Sequence, residues 1–326
     1  MSLDDPDDLG ARLLAGERRA AARLLTWAER EDPRAEAVLR AHAARLGRAF
    51  VLGVTGPPGS GKSTLTNELV KRLRAQGRRV GVVAVDPTSP FTGGALLGDR
   101  VRMNDLATDP GVFIRSVGTR GHLGGLSRGT SLAVRALDLF GCDVVCVETV
   151  GVGQSEVDVI RVCDTTLMVL VPGLGDDIQA IKAGVMEVGD VFVVNQADRD
   201  GAQRTAREVN AMLDLSHAER RPPVLLASAL LGEGLEGLWG AIEEHRAFMG
   251  DPRDPASRAA ARRRAGARHE LVGLAQRRLA ERLAALRLNE RGEAPLDALA
   301  AQVARGALDP FSAVEALLAE LGLGSA

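Results

Sequence analysis

Long apolar runs, a basic excess, paired cysteines and internal repeats are all missing from this chain of 326 residues. No apolar stretch reaches the ~18 residues a membrane-spanning helix needs. Lys and Arg number 41 against 43 Asp and Glu, for a net charge of −2 and a pI near 6.3. A protein that works on nucleic acid normally carries a basic field, so neither nucleic acid nor membrane is expected as a partner. RRRAGARH near 262–269 is the one basic cluster; it falls on a helical pattern and reads as a solvated face. Cys142, Cys146 and Cys163 form no C-x-x-C pair, and two lie in or beside apolar strand-like runs, so buried reduced thiols are expected. The opening DDPDD is acidic and has none of the marks of a secretory signal, which points to a cytoplasmic protein.

What is present is GPPGSGKST, from Gly56 to Thr64. It follows the apolar run Phe50 to Val54 and precedes LTNELVKRL, so strand, glycine loop and helix come in the order that a phosphate-binding loop requires. Gly56, Gly59 and Gly61 allow the tight turn, with Pro57, Pro58 and Ser60 between them. Successive N–H groups and a helix N-terminus then converge on phosphate oxygens. Lys62 reaches the β- and γ-phosphates, and Ser63 offers its hydroxyl to Mg²⁺ with Thr64 behind it.

The length accommodates one large α/β domain with helical additions, or two domains. Residues 1–46 show helical spacing (Leu9, Leu13, Leu14, Leu24, Leu25, Trp27, then a helix from Pro33 through Val38 and Leu39) and read as a helical lead-in. Residues 47–250 alternate helical segments with seven Val-rich runs: FVLGV, RVGVVAV, VFIRS, DVVCVET, TTLMVLV, DVFVVN and PPVLLAS. That pattern predicts an α/β fold of the P-loop nucleoside triphosphatase type, a mostly parallel sheet with helices on both faces. Ligands in such folds bind at the carboxyl ends of strands, where each motif lies. After GDPRDP, residues 251–326 form a helical extension: one long helix over 257–290 with a seam at Val272, Ala275, Leu279, Leu283 and Leu286, then a shorter pair. The seam either packs on the core or meets a second copy.

Further candidates sit at other strand ends. Asp86 closes the second strand facing the Mg²⁺ position, and a Gly-rich loop after it brings Asp99, Arg100 and Arg102, as a nucleotide-sensing switch would. Glu148 closes the fourth strand where an acid holds a metal-bound water; Gly151 follows, and Gln154 either orients the attacking water or faces solvent. Asn195 and Asp198 in VFVVNQAD select the base. A carboxylate there accepts two hydrogen bonds from guanine N1–H and N2–H₂ and is left unpaired by adenine, which favours GTP over ATP. Ser228 and Ala229 end the last strand, where a loop N–H can meet guanine O6. VPGLGDDIQAIKAG, with Gly173 and Lys182, is either another nucleotide-responsive loop or a capped helix.

Together GPPGSGKST, DPTSPFTGGALLGDRVRM, ETVGVGQSE, VPGLGDDIQAIKAG and N-x-A-D resemble the MeaB/ArgK family of P-loop GTPases over nearly the whole chain. The resemblance implies a GTPase using GTP/GDP and Mg²⁺ that acts as a chaperone of an adenosylcobalamin-dependent acyl-CoA mutase, usually methylmalonyl-CoA mutase. It gates cofactor delivery and protects the mutase, with an adenosyltransferase as a further candidate partner. By motif, Lys62 and Ser63 take phosphate and Mg²⁺, and Asp86, Asp99 and Glu148 are the acids of the metal site. The turn from Gly173 to Lys182 corresponds to an additional switch contacting the mutase, and the C-terminal helices to a homodimerisation extension. One departure stands out: NQAD replaces the usual NKAD. The shorter, uncharged Gln196 bears on nucleotide affinity more than on guanine selectivity, which rests on Asp198.

Two other functions are weighed from the residues. A nickel-type metallochaperone GTPase needs a His- or Cys-rich site, whereas His42, His122, His217, His245 and His269 are scattered. A small-molecule kinase needs an acceptor pocket and an Arg-bearing lid, and no motif demands either. No D-x-H-x-x-G pattern is present to ligate the corrinoid directly.

Overall fold

A computed structural model describes residues 3–86, 105–106, 108–118, 128–149, 161–173, 189–215, 219–286 and 294–323. The seven Val-rich runs are seven strands: β1 (Phe50–Thr55), β2 (Val80–Asp86), β3 (Val112–Gly118), β4 (Val144–Thr149), β5 (Thr165–Leu170), β6 (Val191–Val194) and β7 (Val224–Leu226). They form one sheet in the order β3-β2-β4-β1-β5-β6-β7, with every described pairing parallel. The expected α/β architecture is what the chain adopts.

Successive side chains of a strand point to opposite faces, and both faces here are covered. On one face Phe50, Leu52 and Val54 of β1 join Val144 and Cys146 of β4 under α4 (Lys62–Ala75) and α7 (Leu235–Met249). On the other, Val51, Val83, Val145 and Val147 pack with α5 (Arg128–Phe140), and Met168 and Phe192 with α6 (Ala202–Leu213). The N-terminal helices α1 (Pro6–Leu14), α2 (Arg18–Glu29) and α3 (Pro33–Ala41) share the core of α5, burying Leu9, Leu13, Leu24, Leu25, Trp27 and Val38. They start where their sequences dictate. Asp5 accepts from the Asp7 and Asp8 amides ahead of α1, and Asp32 from the Arg34 amide ahead of α3, each with proline in the first turn.

By internal contacts the chain divides into two compact units, Met1–Arg263 and Arg264–Ala326. The long helix α8 (Arg258–Ala284) begins in the first; the second holds the rest of α8 together with α9 (Pro295–Ala304) and α10 (Pro310–Glu320), which pack on each other. None of the seam residues Val272, Ala275, Leu279, Leu283 and Leu286 is buried. No described helix is long and apolar enough to cross a membrane.

The amino ends of the strands are sealed by carboxylates. Asp138 accepts from the amides of Gly47, Arg48 and Ala49, Asp143 from Arg79 N, Asp164 from Val51 N at 2.9 Å, and Asp190 from Thr166 N at 2.7 Å. Two arginines of RRRAGARH dock here: Arg263 pairs with Asp164 at 2.7 Å and Arg262 with Asp190 at 2.8 Å. The solvated-face expectation is therefore wrong for these two, because strand-end carboxylates, which helical periodicity cannot show, draw them in. All three cysteines are free and buried, as expected; burial pushes the Cys142 and Cys146 thiols up to about 12.

His245 of α7 completes this edge. Its Nδ1 lies 2.8 Å from the Thr165 hydroxyl and its Nε2 3.3 Å from Asp190. An acceptor opposite Nε2 places the proton there, so Nδ1 accepts from Thr165. Burial, assisted by Arg262 and Arg220 and opposed by Asp190, holds the imidazole below its ordinary value. The unfolded chain therefore takes up a proton near pH ~6.5 that the folded chain does not. The contribution of His245 to stability is present above that pH and is lost as pH falls towards the folded value. Urea unfolding should show a lower midpoint at acid than at neutral pH, and His245→Gln should reduce that difference.

Candidate nucleotide site

The phosphate loop runs from the end of β1 to the first residue of α4, and its glycines answer to close approaches. A Cβ on Gly56 would lie 2.0 Å from the carbonyl oxygen of Val169, in the neighbouring strand β5. Gly61 caps α4 in the left-handed region, φ 81°, and a Cβ there would come within 2.5 Å of Asn195 Nδ2. Pro58, Gly59 and Thr64 are exposed, Pro57 is half-buried and Ser60 is buried.

Lys62 folds back over the loop, its Nζ donating to the carbonyls of Gly56 at 2.8 Å and Pro57 at 2.9 Å, with 6% of the residue exposed. Its charge adds to the positive end of α4, so the loop is set for an anion. Ser63 donates its hydroxyl to Glu148 Oε1 at 2.5 Å. Strand register explains how residues so far apart in sequence meet: Val54 of β1 lies beside Glu148 of β4. Ser63 and Glu148, 6% and 3% exposed, present hard oxygen donors of the type Mg²⁺ takes, so the residues present fit that ion. One residue further on, the Thr149 hydroxyl donates to Thr55 Oγ1 at 2.9 Å and ties the same two strand ends; no motif signals this pair.

On the far side of β5, Asn195 leaves the end of β6 and links two loops. Its Nδ2 donates to Ser60 O at 2.9 Å, and its Oδ1 accepts from Ala229 N at 3.1 Å. Asn195, expected at the base, instead bridges the phosphate loop to the residues just past β7. Gln196 follows in the left-handed region, φ 57°, with Nε2 3.4 Å from Gly59 O. Asp198 is exposed, accepting from the Ser228 hydroxyl at 2.6 Å, a bond that lowers its pKa below the usual carboxylate range. The guanine-selection expectation takes this carboxylate as buried, whereas it is exposed. The Ser228 and Ala229 amides are engaged with Glu233 O and Asn195 Oδ1.

Lys62, Ser63 and Glu148 therefore come together at one end of the loop, and Asn195, Asp198, Ser228 and Ala229 at the other. Asp86 ends β2, beside β4, but its side chain lies outside the described residues, as do Asp99, Gln154, Gly151, Lys182 and His122. A family model described as Methylmalonyl Co-A mutase-associated GTPase MeaB matches residues 21–287. The chain belongs to the MeaB family of GTPases. A Pyrococcus abyssi protein named as an inferred GTPase is 46% identical over 320 residues, covering 97% of this chain and 96% of its own. GTPase ArgK of Escherichia coli K12 is 43% identical over 248 residues, 73% of this chain and 75% of its own. Among solved structures, a LAO/AO transport system kinase superposes with a TM-score of 0.72 at 28% identity, over 99% of each chain.

In this MeaB-family site, Asn195→Ala should destabilise the nucleotide-free protein by about 2 kcal/mol in chemical denaturation, since it strands the Ser60 carbonyl and the Ala229 amide. A residue that only contacted a base would leave the stability of the nucleotide-free protein unchanged.

Proposed function

We propose that this MeaB-family GTPase hydrolyses GTP slowly, with Mg²⁺, and uses its nucleotide state to act as a chaperone of an adenosylcobalamin-dependent acyl-CoA mutase of the methylmalonyl-CoA mutase type. The observation that carries this reading is the match of residues 21–287 to a family described as mutase-associated GTPases. The site is in keeping with it. The amides of the 56–61 loop and the α4 N-terminus take the β- and γ-phosphates, and Lys62 exchanges two carbonyl partners for phosphate oxygens. Ser63 and Glu148 are the residues that would hold Mg²⁺ and its water, and the ion would neutralise charge on the β- and γ-oxygens. Asp198 reads N1–H and N2–H₂ of guanine, oriented by Ser228. Asp86, Asp99 and Gln154 join this reading by motif.

Nucleotide state can reach the base loop directly, because Asn195 joins it to the phosphate loop. The seam of α8 and the exposed Leu296, Phe311 and Val314 of α9 and α10 support a homodimer through residues 264–323. The domains read as helices over 1–46, a GTPase domain over 47–250 and a dimerisation extension over 251–326, and the setting as cytoplasmic.

Phosphate release from GTP and ATP by the purified protein, alone and with the mutase of the same organism, tests this. Turnover of GTP alone is expected on the order of 10⁻⁴ to 10⁻² s⁻¹, rising roughly tenfold or more with the mutase. Asp198→Ala should erase the preference for GTP. An unchanged rate with the mutase removes the chaperone reading, and phosphate transferred to a protein or amino acid instead of water removes hydrolysis.

A further inference from the structure

At the opposite end of the sheet from the phosphate loop, a half-open cleft of about 700 Å³ is lined by five arginines: Arg45, Arg48, Arg78, Arg79 and Arg246. They come from three places that the fold brings together, the connection into β1, the connection from α4 to β2, and α7. Three are fixed over aromatic rings: Arg78 over Trp239 at 5.9 Å, Arg79 over Phe140 at 5.0 Å and Arg246 over Phe50 at 4.8 Å. Stacking restrains a guanidinium plane while leaving N–H groups at its edge to donate. Arg79 also donates to the Phe140 carbonyl at 3.0 Å.

The carboxylates nearby are committed. Asp138 accepts three backbone amides and Asp143 accepts Arg79 N. Glu243 stands between Arg78 and Arg246, at 3.4 and 3.7 Å. Arg45 and Arg48 are exposed, and their guanidinium groups make no hydrogen bond or ion pair with any described residue. Among the described residues that line the cleft, five arginines face two carboxylates, Asp138 and Asp143. The volume falls within the range of small-molecule sites.

We infer that this cleft binds a small anion of the diphosphate class, held by paired N–H donors of the arginines. The site is separate from the nucleotide site: the phosphate loop precedes the first residue of α4, the cleft is lined by Gln76 to Arg79 just past its last, and 14 residues of helix span roughly 20 Å. Inorganic pyrophosphate is the probe. The full chain is saturated with GDP and excess Mg²⁺ and titrated calorimetrically with pyrophosphate, then with orthophosphate. Pyrophosphate should bind, with affinity falling as salt is raised, and orthophosphate should bind about tenfold more weakly. The double variant Arg45→Ala/Arg48→Ala should weaken pyrophosphate about tenfold while GDP affinity and the thermal midpoint stay unchanged. Lys62→Ala, which disables the phosphate loop, should leave pyrophosphate binding intact, so the outcome does not depend on the chain being a GTPase. Absence of binding at millimolar pyrophosphate, equal affinity in the double variant, or loss of binding with Lys62→Ala would overturn the assignment. So would a Glu-rich peptide that binds as tightly as pyrophosphate and displaces it, which would make the cleft a protein-docking surface.

Discussion

Burial of a parallel sheet on both faces is the constraint from which the other features of the first unit follow. Once helices cover each face, backbone polar groups are open only at strand ends, and an unpaired buried amide or carbonyl is costly. The two ends meet this demand differently. At the amino ends four aspartates, Asp138, Asp143, Asp164 and Asp190, accept strand or pre-strand amides. Arginines from α8 and the imidazole of α7 then neutralise or satisfy two of them. At the carboxyl ends the groups are satisfied by side chains that span from one strand end or loop to the next.

Those spanning side chains tie the phosphate loop to the neighbouring strand ends. Glu148 reaches Ser63 across the β1–β4 register, the Thr55 and Thr149 hydroxyls join the same two strands, and Asn195 joins the phosphate loop to the end of β7. Through Asn195 the phosphate loop is hydrogen-bonded directly to the loop that follows β7. Gln196 belongs to the same arrangement: its left-handed backbone turns the chain from β6 towards Asp198 and leaves its amide over Gly59. A lysine stem at this position would offer charge and length that the glutamine does not, while the Asn195 bridge and the exposed Asp198 carboxylate are independent of that choice.

Charge is distributed in keeping with these roles. The net charge is close to zero, yet arginines gather at the amino ends of the strands, some spent on aspartates and others lining an open cleft. Average composition conceals this, because a balanced total says nothing about which surfaces collect which sign.

All seven strands could be read directly, since each is a short apolar run bounded by polar or glycine punctuation; β1, β4, β5 and β6 are buried along their whole length, where a parallel strand needs continuous apolar residues. Pro33 and the leucine spacing likewise marked the helices, and GPPGSGKST its own loop, because these signals are local: a periodicity, a capping residue, a turn that only glycine permits. Strand order was not legible, as it depends on which strands pair and not on their composition. Nor was the bridging of Asn195 or the docking of Arg262 and Arg263 onto Asp190 and Asp164, whereas the motifs already assign Ser63 and Glu148 to one metal site. These contacts join residues 34 to 135 positions apart. The sequence by itself determined the elements and the chemistry each carries; only the tertiary structure decided which of those groups meet, because hydrogen bonds and ion pairs between distant segments exist only once the sheet has set their register.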